Sequence, residues 1–153
     1  MASEAIANLI ERVKAFEDNI NEYIKESLNS TDVEEEIAFM NYTGQLYIEG
    51  INAANVSIWS YQPYAESTIK KKRREGKPYN RVTLRDKGGL EDVFYIVLRD
   101  DEFEIRVQWD KMKYLYARYG DNVVGLNEEN VQYLSQHFVF PFLRKKLNEV
   151  VYC

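Results

Sequence analysis

Five consecutive cations, Lys70, Lys71, Lys72, Arg73 and Arg74, form the densest chemical feature of this chain. Clustered Lys and Arg neutralise phosphates and release the counterions condensed on a nucleic acid, so the run invites a nucleic-acid reading. Tyr61, Tyr64 and Tyr79 lie close enough in sequence to offer stacking surfaces beside it. The same cations suit docking onto an acidic protein surface, or transient contact with a passing DNA. The net charge of the whole chain is −5, which argues against a dedicated sequence-specific DNA binder.

The other groups with chemical potential stand alone. His137 is the only histidine and Cys153 the only cysteine, so neither a histidine-rich nor a Cys/His metal site can be assembled. A lone cysteine also excludes an intrachain disulfide, and a reducing compartment is the natural expectation. His137, beside Phe138 on a helix, is expected to be structural. Asp100, Asp101 and Glu102 could meet a hard cation, but three acids between two strands are expected to be a solvated tip. Gly88-Gly89 lacks the spacing of a phosphate-binding loop, and no nucleophile is paired with a base. These absences lead to an expectation of no enzymatic activity, no cofactor and no metal.

Charge is unevenly spread over the elements that must carry these groups. From Thr68 to Lys87 nine Lys/Arg face only Glu75 and Asp86, a local +7 that leaves −12 elsewhere. Such asymmetry can steer a partner or order identical subunits head to tail. Tyrosine, at 12 residues, outnumbers phenylalanine at 7. Its apolar ring and polar tip suit surfaces that are wet in a monomer and covered in an assembly.

A chain of 153 residues accommodates one domain with a real core. We divide it into a helical region (1–58), a basic loop with a β-hairpin core (59–126) and a C-terminal helix (127–153). From Ala2 to Leu28, Ile6, Leu9, Ile10, Val13, Phe16, Ile20, Tyr23, Ile24 and Leu28 recur at helical intervals, which predicts one amphipathic helix. Thr31 with Glu34 reads as a capping box opening a second helix. Its seam of Val33, Ile37, Met40, Gly44, Tyr47, Ile51, Ala54 and Ile58 is expected to pack on the first helix. Gly44 and Gly50 weaken that helix, which could end near Gly50. The runs Val93–Leu98 and Phe103–Trp109 around Asp100-Asp101 predict an antiparallel hairpin with Glu104, Arg106 and Gln108 on its wet face. Asp110 to Tyr119 fits either a helical turn or a strand. Asn127 is expected to cap the last helix, and Pro141 to kink or break it. The fold class is α+β: long N-terminal helices, a central antiparallel β-sheet with a hairpin, and a C-terminal helix. Met1 to Ile10 has no basic stretch leading an apolar core, and no run of residues is apolar enough to span a bilayer, so neither signal-led export nor membrane insertion is expected.

In order and spacing, the middle and C-terminal thirds resemble bacteriophage virion-morphogenesis proteins of the tail-completion and neck class. The residues that carry the resemblance are Trp59, Thr68 with Lys71, Leu84-Arg85-Asp86-Lys87-Gly88-Gly89-Leu90, the two β-rich runs around Asp100, Tyr116-Ala117-Arg118-Tyr119-Gly120 and Gly125-Leu126-Asn127. The resemblance implies a non-enzymatic structural protein of the virion, assembled in the host cytoplasm, that forms a ring or part of one where tail meets head. It implies partners on the portal or connector side or the tail-tube side, and further copies of the chain itself. Ring neighbours meet through two unlike surfaces, and the basic middle and acidic N-terminal region supply such a pair. On this reading the interface includes Tyr61, Tyr64, Lys70, Lys71, Lys72, Arg73, Arg74, Asp100 and Asp101. The alternative is a nucleic-acid-binding accessory protein that uses Lys70 to Arg74.

Overall fold

The computed structural model describes residues 2–58, 64–84, 94–99 and 102–152. Helix α1 (Ala2–Asp18) and helix α2 (Ile20–Leu28) come first, followed by α3 (Thr31–Ala38), which widens without a break into a π-helical segment, Phe39–Glu49. A two-stranded sheet of β1 (Phe94–Leu98) and β2 (Phe103–Val107) follows the basic helix α4 (Glu66–Arg74). Helix α5 (Met112–Tyr119), a short 3-10 turn (Asp121–Val123), α6 (Glu128–Leu134), a π turn (Ser135–Val139) and α7 (Phe140–Tyr152) complete the chain. The architecture is the expected α+β one, with helices dominating.

The single N-terminal helix expected from periodicity is divided at Asn19, whose φ of −104° and ψ of 6° leave the helical region. Its side-chain amide donates to the Ala15 carbonyl at 2.8 Å, a local bond of the kind that competes with the helical ladder. The next helix starts one residue earlier than the proposed capping box. Ser30, in extended conformation, is the N-cap, and its hydroxyl accepts from the Val33 amide at 3.3 Å. Val33, Ile37 and Met40 are buried as the seam requires. Beyond Phe39 the wider π turn rotates the buried face to Asn41, Tyr42, Gln45 and Leu46. The helix ends at Gly50, which adopts the left-handed conformation at φ 67° and donates its amide to the Gln45 carbonyl. Ile58 still reaches the core, from beyond a turn closed by a bridge between Ile51 and Ser57.

Two apolar clusters hold the molecule. One gathers Leu28, Val33, Ile37, Met40, Leu134 and Val139; the other gathers Tyr42, Leu46, Ile58, Val82, Met112, Tyr119 and Val123. The α3–π unit contributes to both, and Ile37 and Leu46 are each 1% exposed. Full burial of such a side chain stabilises by about 1.5–3 kcal/mol, so this one continuous helix ties the halves together. The hairpin is the second tie. Its pairing runs from Phe94 opposite Val107 to Leu98 opposite Phe103. Phe94 and Val107 pack on one cluster, while Ile96, Leu98, Phe103 and Ile105 pack on the other. The opposite face carries Tyr95, Glu104 and Arg106, in agreement with the predicted alternation.

Within the predicted first helix, α1 packs chiefly on α7, while the α2 part meets the seam of the second helix, with Ile24 and Leu28 beside Val33, Ile37 and Met40, so the expected packing holds for α2. The segment left open between helix and strand is helical as α5. Asn127 is the expected N-cap, accepting from the Asn130 amide at 2.9 Å. Pro141 does not break the helix. The turn just before it widens, with the Phe140 amide bonded to the Ser135 carbonyl. A widened turn relieves the clash a proline ring makes with the carbonyl four residues earlier, and α7 continues to Tyr152.

Candidate interaction surface

Helix α4 resolves the five-cation run into two faces. Its single acid in the first turn, Glu66, and the four cations of its last turn complement the helix dipole. It stops at Gly76, at φ 66°, where the Lys77 amide donates to the Lys72 carbonyl at 2.9 Å. Lys72 points inward: it is 5% exposed, and its ammonium sits 4.8 Å from the centre of the Tyr64 ring. Tyr64 in turn accepts at its hydroxyl from the amide of buried Thr83 at 3.0 Å. These contacts clasp α4 to the segment that follows it. Lys70, Arg73 and Arg74 are exposed, and Lys71 is half-buried.

Beside the outward face, the Arg73 guanidinium lies 4.5 Å from the centre of the Tyr79 ring, which is 40% exposed. Lys77 pairs with Glu75 at 2.9 Å, and Arg81 sits 5.9 Å from the Tyr47 ring. The structure thus separates residues that the sequence reading grouped together: Tyr64 and Lys72 hold the helix in place, while Lys70, Arg73 and Arg74 face solvent. Tyr61, Asp100 and Asp101, like Trp59 and residues 85–90 of the resemblance, lie outside the described residues.

At the hairpin, Glu104 binds Arg99 and Arg106, each at 3.0 Å. The Arg106 hydrogen bond holds the Glu104 carboxyl below the usual range. Glu102 lies 3.8 Å from Arg99, so this acid of the hairpin tip faces a cation of its own chain. Among the described residues no three His, Cys, Asp or Glu gather as a metal site, and no helix is long and apolar enough to cross a membrane. His137 Nδ1 lies 2.9 Å from the Tyr133 carbonyl, and its ring stacks on Tyr133 at 4.1 Å. A cavity of about 100 Å³ between α2 and the hairpin tip is lined by Ile24, Leu28, Leu98 and Phe103 with Arg99 and Glu102. Ligand sites are typically about 300–1,000 Å³, so it is too small to hold an ordinary substrate.

Sequence reasoning missed the most elaborate polar site. The π segment brings Asn41 and Gln45 to bear on Gly125-Leu126-Asn127. Asn41 Nδ2 and Gln45 Nε2 both donate to the Gly125 carbonyl, at 2.7 and 3.0 Å. Gln45 Oε1 accepts from the Asn127 amide at 2.8 Å and from Asn130 Nδ2 at 2.7 Å. Asn127 Nδ2 donates to Asn55 Oδ1 at 2.9 Å. Gly125, at φ 137°, lies so close to Ala53 that a Cβ added there would sit 3.2 Å from the Ala53 Cβ. All these side chains are amides, without a nucleophile or a titrating group, so the node locks the segment rather than performing chemistry. The available signal was Asn41 and Gln45, two polar residues four apart beside an apolar seam.

The resemblance motifs fall on this framework. Tyr116 to Gly120 forms the end of α5, with Tyr119 4% exposed in the core and its hydroxyl pushed up by burial. Large apolar side chains also remain on the outside, among them Ile6 (59% exposed) and Ile10 (49%) one turn apart on α1, and Phe39, Ile48 and Phe140. No protein-family model, curated protein or solved structure matches the chain.

Proposed function

We propose that this chain is a structural component of a tailed-phage virion, a neck or tail-completion protein that forms a ring or part of one at the head–tail junction. It works by docking, not by catalysis, and its partners are copies of itself and the virion proteins on the portal or tail-tube side. The observation that carries this reading is the pair Ile6 and Ile10, two large apolar side chains one turn apart on α1 and both left outside the core. Single exposed apolar residues are ordinary, but a contiguous pair on a helix already packed on its other side marks a surface for a protein neighbour. The motifs from Thr68 to Asn127 that resemble the family support the same assignment.

The test is light scattering across a rising concentration series. The wild-type chain is expected to exceed its monomer mass of 18.1 kDa, and the double substitution Ile6→Ser with Ile10→Ser to lower that association at least about tenfold, since each buried isoleucine contributes roughly 1.5–3 kcal/mol. A chain that stays monomeric at every concentration contradicts the proposal.

A further inference from the structure

We propose that the outward face of α4 is a contact for the phosphate backbone of duplex DNA, made by Lys70, Arg73 and Arg74 and independent of base sequence. These residues stand at positions i, i+3 and i+4, so they share one side of the helix. All three are exposed, whereas Lys72 is turned onto Tyr64, Lys77 is paired with Glu75 and Arg81 lies over Tyr47. Within Glu66–Arg81, seven cations face two acids. Ala2–Glu49 carries the opposite balance, eleven of the 25 acids against three cations. Helix α4 has no broad packing contact with α1, α2 or α3, and exposed charges more than about 8 Å apart are largely screened at physiological salt. The negative net charge therefore does not cancel the local field of α4.

Duplex is favoured over single strand by what surrounds the cations. Single-strand binders line a groove with several aromatic rings for base stacking. Here the face is a convex helix, and among the described residues the exposed ring seen against its cations, Tyr79, lies on the Arg73 guanidinium. Such a surface reaches phosphates and leaves the bases unread. Arg73 is steadied by Tyr79 while remaining exposed.

The experiment is fluorescence anisotropy of the full chain with a labelled duplex and with a single strand of the same length, over a salt series. Three phosphate contacts give a slope of log affinity against log salt of about −2.7, so duplex binding is expected to fall roughly 75-fold between about 20 and about 100 mM salt. Neutralising Lys70, Arg73 and Arg74 together to Gln is expected to abolish this dependence, with circular dichroism confirming the fold. Each single change is expected to reduce the slope by about 0.9. Lys72→Met, which keeps the buried stem, is expected to leave the slope unchanged. Absent duplex binding at the lowest salt, an undiminished slope in the triple variant, or a loss of slope in Lys72→Met equal to that of Arg73→Gln would each overturn the assignment. Tighter binding to the single strand would overturn it in favour of base stacking. These outcomes read DNA affinity alone, so they stand or fall apart from self-association.

Discussion

At the scale of single residues, the side chain with most to lose is Gln45. It is fully buried and makes hydrogen bonds to the Gly125 carbonyl, the Asn127 amide and Asn130 Nδ2. A buried polar group left without its partner costs about 1–3 kcal/mol, against a net gain of roughly 1 kcal/mol from making the bond. Gln45→Leu strands several groups at once and is expected to destabilise the chain by about 3 kcal/mol in urea denaturation. Asn127→Ala, which removes the cap of α6, is expected to cost about 1 kcal/mol. A loss below about 1 kcal/mol for Gln45→Leu would show that the amide node is incidental. The node was only partly legible in the sequence. Asn127 announces itself as a cap by its position before Glu128 and a periodic apolar run. Its bond to Gln45 joins residues 82 positions apart, and local patterning carries no information about such a partner. Lys72 was hidden differently: a run of five cations reads as one solvated block. Helical phase separates them, because Lys72 falls three residues after half-buried Ile69, on the inner side.

At the scale of elements, the two glycines of the second helix make opposite demands. Gly44 lies inside the π segment, and a Cβ there would have the Phe39 carbonyl as its nearest neighbour, at an easy 3.9 Å. Gly44→Ala is therefore expected to raise stability by about 0.5–1 kcal/mol, through a less disordered unfolded chain and better helix propensity. Gly50 holds φ at 67° to end the helix, and Gly50→Ala is expected to lower stability by about 1 kcal/mol. Thermal unfolding of the two variants checks both signs; shifts in the same direction would contradict the placement of the helix end. The apolar seam through Val33, Ile37 and Met40 was legible because α-helical spacing governs it. Its continuation through Gly44 and Tyr47 was not, since the widening at Phe39 changes the repeat without any marker residue. Pro141 was visible as a disturbance, but the π turn that absorbs it depends on neighbouring packing, with Leu134 and Val139 both buried around it. The hairpin was read with its faces correct because strict alternation from Phe103 to Val107 leaves one choice of face.

At the scale of the whole molecule, the chain is mostly helical, with eleven acids against three cations in Ala2–Glu49 and three exposed cations on one side of α4. Two apolar clusters are joined by α3, the π segment and the hairpin. On the proposed reading, the Ile6–Ile10 pair meets a protein neighbour and the α4 face a polyanion. The fold class and its principal elements follow from periodicity and alternation, whereas assembly depends on surfaces that periodicity describes only as unburied. The most direct test of the proposed place at the head–tail junction is electron microscopy of tailed-phage particles assembled in the presence of this chain carrying a gold-labelled tag. The expected result is label confined to the neck, between head and tail. Complete particles from which the label is absent would contradict it.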